Sequence, residues 1–350
     1  MYTIERYHNG KRYHVEEEVE DVEIASENDE NKKESPVTMI MNRHEHFRTK
    51  AMKKAKQDRN EPNEDMTYKF ICSHDYDVGS LRHNNVQLKT NKLQNGVMVN
   101  TYTPTKNQTG TDKVILFSHG NATDLGGTHP IAVALCKATC CTIVTYDYSG
   151  ENHFLFPFMN NLLTHNASGY GHSLGFPTEK KTYSDVEQVY AYCQSLSSND
   201  DSVSKSDETN TQSKVILYGQ SVGSGPSCWY AAKLSNKGSP PAGLVLHCPF
   251  TSGIRVLTNE EKVPCFIQCL DIYDNLGRME KVRCPVFILH GLKDEEIDIR
   301  HSQMLLERVH SRYARDPWWV PNRGHNDITE GRSGMTEYVT KINNFVNSLD

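Results

Sequence analysis

Lys214–Val215–Ile216–Leu217–Tyr218 runs directly into Gly219–Gln220–Ser221–Val222–Gly223. The first five residues predict a buried strand. Pro226 and the apolar run through Trp229, Ala231 and Leu234 predict a helix after the glycines. G-x-S-x-G between a strand and a helix reads as a nucleophile elbow, with the serine exposed at the apex of a sharp turn. The glycines stand where a Cβ would collide with the turn's own backbone. Alone, the motif fits a Gly/Ser loop equally well. Its neighbours along the chain decide between the two.

Those neighbours are strands that are apolar throughout, alternating with amphipathic stretches. Val114–Ser118, Thr142–Tyr146, Gly243–His247, Pro285–His290 and Trp318–Val320 read as strands, and Lys181–Leu196 and Ser302–Val309 read as helices. Met335, Tyr338, Val339, Ile342, Phe345 and Val346 recur at helical spacing and predict a closing helix. Val86–Thr90 and Val97–Pro104 flank Asn95–Gly96 and predict a hairpin. This alternation predicts an α/β fold, a mostly parallel central sheet with helices on both faces. No Gly-x-Gly-x-x-Gly follows the first long strand, which disfavours a dinucleotide fold.

Ligands of such sheets bind at the carboxyl ends of the strands. Asp294 follows the strand ending at His290, and His325 follows the strand ending at Val320. The chain order Ser221, Asp294, His325 is that of α/β-hydrolases. A serine hydroxyl is a poor nucleophile at neutral pH, so His325 would take its proton and Asp294 would orient the imidazole. Activity is then expected to fall as pH drops through about 6.5, the reference value of histidine. Glu295, Glu296 and Asp298 are rival carboxylates, and Asp294 is preferred for its place at the strand end. His119 and His290 also follow strands, but each precedes a glycine inside the turn, where a histidine supports the loop. The backbone N–H groups of Val222 and Asn121 are the candidate oxyanion donors, with Ala122 as the alternative to Asn121. Chemistry of this kind needs no metal and no cofactor.

The chain has 350 residues, net charge −6 and ten cysteines. The charge disfavours a nucleic-acid partner. No apolar run is long enough to span a bilayer, and no signal peptide is read at Met1. The cysteines lack zinc spacing and mostly lie in apolar surroundings, which suggests a reducing, cytoplasmic compartment, and a monomer is expected. Residues 1–65 read as a disordered charged tail and residues 66–350 as the catalytic domain. The basic stretch Arg43–Arg59 reads either as a solvated linker helix, favoured by its thin apolar face, or as a helix lying on an anionic membrane. Residues 195–213 are almost wholly polar and read as a surface insert.

Longer stretches carry a family resemblance. They are Leu116–Gly126, Tyr146–Gly150, Ile216–Gly223, Pro249–Val256, His290–Gly291 with Asp294–Asp298, and Gly324–Ile328. Over roughly residue 86 to the end, the chain resembles the α/β-hydrolase domain-containing protein 17 family, membrane-associated protein depalmitoylases. The resemblance implies Ser221, Asp294 and His325 as the catalytic triad. It also implies hydrolysis of long-chain acyl thioesters on cysteines, with S-acylated membrane proteins as substrates and peripheral contact with the cytoplasmic face of membranes. The rivals are a small-molecule carboxylesterase or lipase and a non-catalytic binding protein of the same fold. Two departures stand out. The family begins with a cysteine cluster that tethers it to membranes, whereas the first cysteine here is Cys72. Residues 151–169 interrupt the family's Ser-Gly-Tyr-Gly run, and Ser168–Gly169 repeats Ser149–Gly150. That apolar insert reads either as a lid over an acyl groove or as a retained intron.

Overall fold

A computed structural model describes residues 2–8, 11–13, 66–72, 86–94, 96–105, 111–121, 123–149, 178–197, 213–258 and 271–349. The chain divides into two units, Met1–Asp75 and Tyr76–Asp350. In the first, β1 (Tyr2–His8) pairs antiparallel with β2 (Lys11–Tyr13) and with β3 (Met66–Cys72). The full-length register of β1 against β3, from Tyr2↔Cys72 to His8↔Met66, places Met66–Cys72 in this unit. The division therefore falls after residue 75 and not at 65/66. Three strands also lie where the composition suggested an unstructured tail or the start of the catalytic domain. Tyr2 and Ile4 in β1 and Met66, Tyr68, Phe70 and Cys72 in β3 recur at two-residue spacing, a signal that the charged sequence around them obscures. The basic stretch Arg43–Arg59 and the insert 151–169 lie outside the described residues.

The second unit is built on β4 (Val86–Lys92), β5 (Met98–Pro104), β6 (Val114–Ser118), β7 (Thr142–Tyr146), β8 (Val215–Gln220), β9 (Gly243–His247), β10 (Val286–Gly291) and β11 (Trp318–Val320). They form one sheet in the order β11-β10-β9-β8-β6-β7-β5-β4. β4 and β5 form the hairpin expected from Asn95–Gly96, closed by Gly96 N–H to Leu93 O at 2.9 Å. β5 pairs antiparallel with β7, and every pair from β7 to β11 is parallel.

Alternate side chains of each strand point to opposite faces, and each face has its own core. Val114, Leu116, Leu217, Leu244 and Ile288 pack under α2 (Glu179–Ser197), α3 (Ser224–Asn236) and α6 (Ile299–Arg308). Ile115, Phe117, Ile216, Val245 and Leu289 pack under α1 (Leu125–Thr139) and α7 (Gly331–Asn347). Two short helices, α4 (Gly253–Thr258) and α5 (Asn275–Met279), lie between β9 and β10 in sequence. The expected surface insert begins later than residue 195, because Ser195–Ser197 complete α2. At its far end, the Ser213 hydroxyl bonds Tyr190 at 2.8 Å. Residues 198–212 lie outside the described residues.

Candidate active site

The central strand β8 delivers Ser221. Its φ of +50° is a left-handed conformation that a non-glycine residue adopts only when its surroundings impose it. The surroundings are tight. A Cβ on Gly219 would lie 2.6 Å from the Gly223 carbonyl oxygen, and one on Gly223 would lie 2.1 Å from that of Ser118. The glycines thus let the β8–α3 turn press against the end of β6, which lifts the serine out of the sheet. Ser221 to Gly223 form one 3₁₀ turn that leads into α3.

Two further strand ends complete the constellation. His325 stands after β11 and Asp294 after β10, and both side chains are buried. His325 Nε2 lies 2.9 Å from Ser221 Oγ, and His325 Nδ1 lies 2.7 Å from Asp294 Oδ2. The carboxylate fixes the tautomer: Nδ1–H donates to Asp294, leaving Nε2 to accept from the serine hydroxyl. All three sequence-selected residues come together. Of the rival carboxylates, Asp298 instead caps α6, accepting from Arg300 N–H at 2.9 Å.

Asp294 is heavily supported. Its Oδ1 accepts the N–H groups of Glu296 at 2.9 Å and Ile297 at 2.8 Å. His290 Nε2 lies 3.0 Å from Oδ2 and 2.9 Å from the Ile297 carbonyl, and the Ser302 hydroxyl meets His290 Nδ1 at 2.6 Å. His290 therefore acts as the loop support its position before Gly291 suggested. Burial alone would raise the Asp294 pKa, but the hydrogen bonds from His290 and His325 outweigh it and hold the carboxyl well below the usual range. For His325, burial pushes the pKa down, while the hydrogen bond and charge of Asp294, with Glu296, push it up further. The net position is above 6.5. This moves the expected acid limb of activity upward from the reference value.

Cys248, His290 and Asp294 offer ligand atoms within 4.8 Å of one another. Burial and the charge of Asp294 raise the Cys248 thiol far above its ordinary range, so its S–H donates to the carboxylate instead of ionising beside it.

The turn holding Asn121 lies against the nucleophile: a Cβ on Gly120 would stand 3.5 Å from Ser221 Cβ. Tyr148 braces this turn by donating its hydroxyl to the His119 carbonyl at 2.8 Å. Buried His119, whose pKa burial lowers to about 4, contacts the Gly120 carbonyl through Nδ1 at 2.8 Å. Like His290, it supports a turn. Val222 follows Ser221 in the first turn toward α3. Both expected oxyanion donors thus belong to segments that border the serine. One group escaped the sequence-based selection. Glu296, read there only as a rival for Asp294, places Oε2 3.9 Å from His325 Nε2.

A mostly parallel sheet with a serine elbow on its central strand, an acid after β10 and a histidine after β11 defines an α/β-hydrolase. Comparison with solved structures agrees on the fold. An esterase of Pyrococcus furiosus superposes with TM-score 0.52 at 12% identity, covering 80% of this chain and 96% of its own. A Lactococcus lactis protein described as a sugar hydrolase superposes with TM-score 0.50 at 14% identity, covering 75% and 100%. No family model matches the chain. Among curated proteins, human α/β-hydrolase domain-containing protein 17B is 33% identical over 232 residues, 66% of this chain and 65% of its own length. The Caenorhabditis elegans α/β-hydrolase domain-containing protein aho-3 is 33% identical over 214 residues, 61% and 52% respectively. The chain is similar to members of the α/β-hydrolase domain-containing protein 17 family, as its motifs suggested, and it spans 65% of the length of the human protein and about half that of the C. elegans one.

Proposed function

We propose that this chain is a serine hydrolase that cleaves long-chain acyl thioesters from S-palmitoylated cysteines of proteins. The hydrolase half of the proposal is carried by one observation, the 2.9 Å approach of Ser221 Oγ to His325 Nε2. As Ser221 attacks the acyl carbonyl, its proton passes to Nε2, and Asp294 stabilises the imidazolium that forms. Collapse of the tetrahedral intermediate transfers that proton to the leaving thiolate and leaves an acyl-enzyme. His325 then takes a proton from water, and hydroxide attack releases the acid and restores the serine. The N–H groups of Val222 and Asn121 are assigned to the developing oxyanion. The thioester half of the proposal rests on the family resemblance, since esters and thioesters pass through the same acyl-enzyme. Contact with membranes is part of the same proposal. Among the described residues no helix is long and apolar enough to cross a bilayer, and the basic stretch Arg43–Arg59 is the candidate for contact with an anionic membrane surface, with a solvated linker helix as its favoured alternative.

A fluorophosphonate probe tests the chemistry. Wild type is expected to label, and Ser221→Ala is not. Absent labelling, or equal labelling of both, removes the hydrolase assignment. Turnover of an S-palmitoyl peptide against a short aryl ester then tests the substrate, and a preference for the aryl ester would favour a small-molecule carboxylesterase.

A further inference from the structure

Glu296 is held at the reacting end of the histidine. Its Oε1 accepts from the Asn326 side-chain amide at 2.7 Å, and its Oε2 faces His325 Nε2 at 3.9 Å. The carboxylate is thus anchored on the loop that carries the base, although it belongs to the loop that carries the acid. It remains 60% exposed, so a solvent-borne group can reach it. We propose that Glu296 is a specificity-determining residue that makes this hydrolase select for positively charged leaving groups and against negatively charged ones.

This inference rests on the serine-hydrolase assignment, and the geometry supplies the rest. The leaving atom must come within about 3 Å of Nε2 to receive its proton. Oε2 is 3.9 Å from the same nitrogen. Every leaving atom therefore passes within about 7 Å of a carboxylate oxygen, inside the Debye length of roughly 8 Å at physiological ionic strength. The cations nearby in sequence are otherwise engaged. Arg300 pairs with Asp298, and Arg323 faces Asp327 at 3.9 Å and Glu330 at 3.6 Å. Exposed Lys293 is matched in charge by exposed Glu295 on the same loop. Asp294 lies farther from the departing group, at Nδ1 on the opposite side of the ring, with its side chain buried against His325 and His290. Among the described residues, the carboxylate that faces the departing group is that of Glu296. For an acylated protein, the favoured substrate is a cysteine with lysine or arginine beside it.

An effect through the basicity of His325 alone would change all substrates together, whereas a direct charge effect changes their ratio. The test uses three octanoyl thioesters that differ only in the thiol: thiocholine, mercaptoethanol and 3-mercaptopropionate. Their kcat/KM values are compared between wild type, Glu296→Gln and Glu296→Lys, so that intrinsic leaving-group reactivity cancels. The cation-to-anion ratio is expected to fall about three- to tenfold in Glu296→Gln, and further in Glu296→Lys. In wild type the ratio should shrink as salt is raised from about 0.02 to 0.5 M. A ratio unchanged across the three proteins overturns the role of Glu296 while leaving the hydrolase assignment standing. No Ser221-dependent hydrolysis of any of the three thioesters overturns both.

Discussion

In the proposed mechanism, the pair His325–Asp294 sets the pH at which Ser221 can act. Only the neutral imidazole accepts a proton, so kcat/KM must fall as pH drops through the pKa of His325. Burial lowers that pKa, but Asp294 and Glu296 more than reverse it, and it lies above 6.5. The acid limb is therefore expected with its midpoint above pH 6.5. A midpoint at or below 6.5, or a flat profile from pH 5 to 8, would contradict this arrangement. Asp294→Asn is expected to cost on the order of 10⁴ in kcat, because an amide no longer enforces the Nδ1–H tautomer. The candidate triad was legible in the sequence because each member directly follows an apolar strand, and strand ends converge on one edge of a parallel sheet. The role of Glu296 was not legible, because a side chain's aim across two loops has no periodic signature. It lies close to Asp294 in sequence, yet Asp294 reaches Nδ1 and Glu296 faces Nε2.

Among the described turns, the one between β8 and α3 is one of the least tolerant. Gly223 meets backbone on its open side: a Cβ there would stand 2.1 and 2.8 Å from the Ser118 and His119 carbonyl oxygens. Backbone of this kind cannot yield as a flexible side chain does. Gly223→Ala is expected to destabilise by roughly 3 kcal/mol or more. Gly238→Ala is the control: its φ of +77° is unfavourable, but nothing lies within 4 Å, so the cost should be about 1 kcal/mol. Urea unfolding of both variants measures the difference, and equal losses would show that crowding is not what the glycine relieves. The parallel strands of the second unit were plain in the sequence because burial on both faces leaves a largely apolar run. The pairing of β1 with β3 was hidden, since Tyr2–His8 and Met66–Cys72 lie far apart and are set in charged sequence.

For the catalytic unit as a body, one buried carboxylate works against stability at neutral pH. Asp185 on α2 is fully buried and accepts both the Ser149 N–H at 2.7 Å and the Ser149 hydroxyl at 2.6 Å. Burial still dominates, and its pKa is raised to about 6, with Lys181 3.8 Å away as partial compensation. The folded state therefore holds this proton up to about pH 6, whereas the unfolded chain releases it near 4. Stability from this group is greatest below pH 4 and declines as pH rises from 4 to 6, by about 3 kcal/mol. Asp185→Asn should remove that decline. The check is the difference in unfolding free energy between wild type and variant at pH 4 and pH 6.5, and a difference that does not change with pH would refute it.

The strand order carries one more implication, for synthesis. Ser221 leaves the ribosome 104 residues before His325. Until β10 has been laid beside β9 and β11 beside β10, the elbow serine lacks its acid, its base or both. With the proposed triad, the nascent chain stays chemically silent through all the earlier strands, and hydrolytic competence switches on only once β11 and the histidine behind it have emerged.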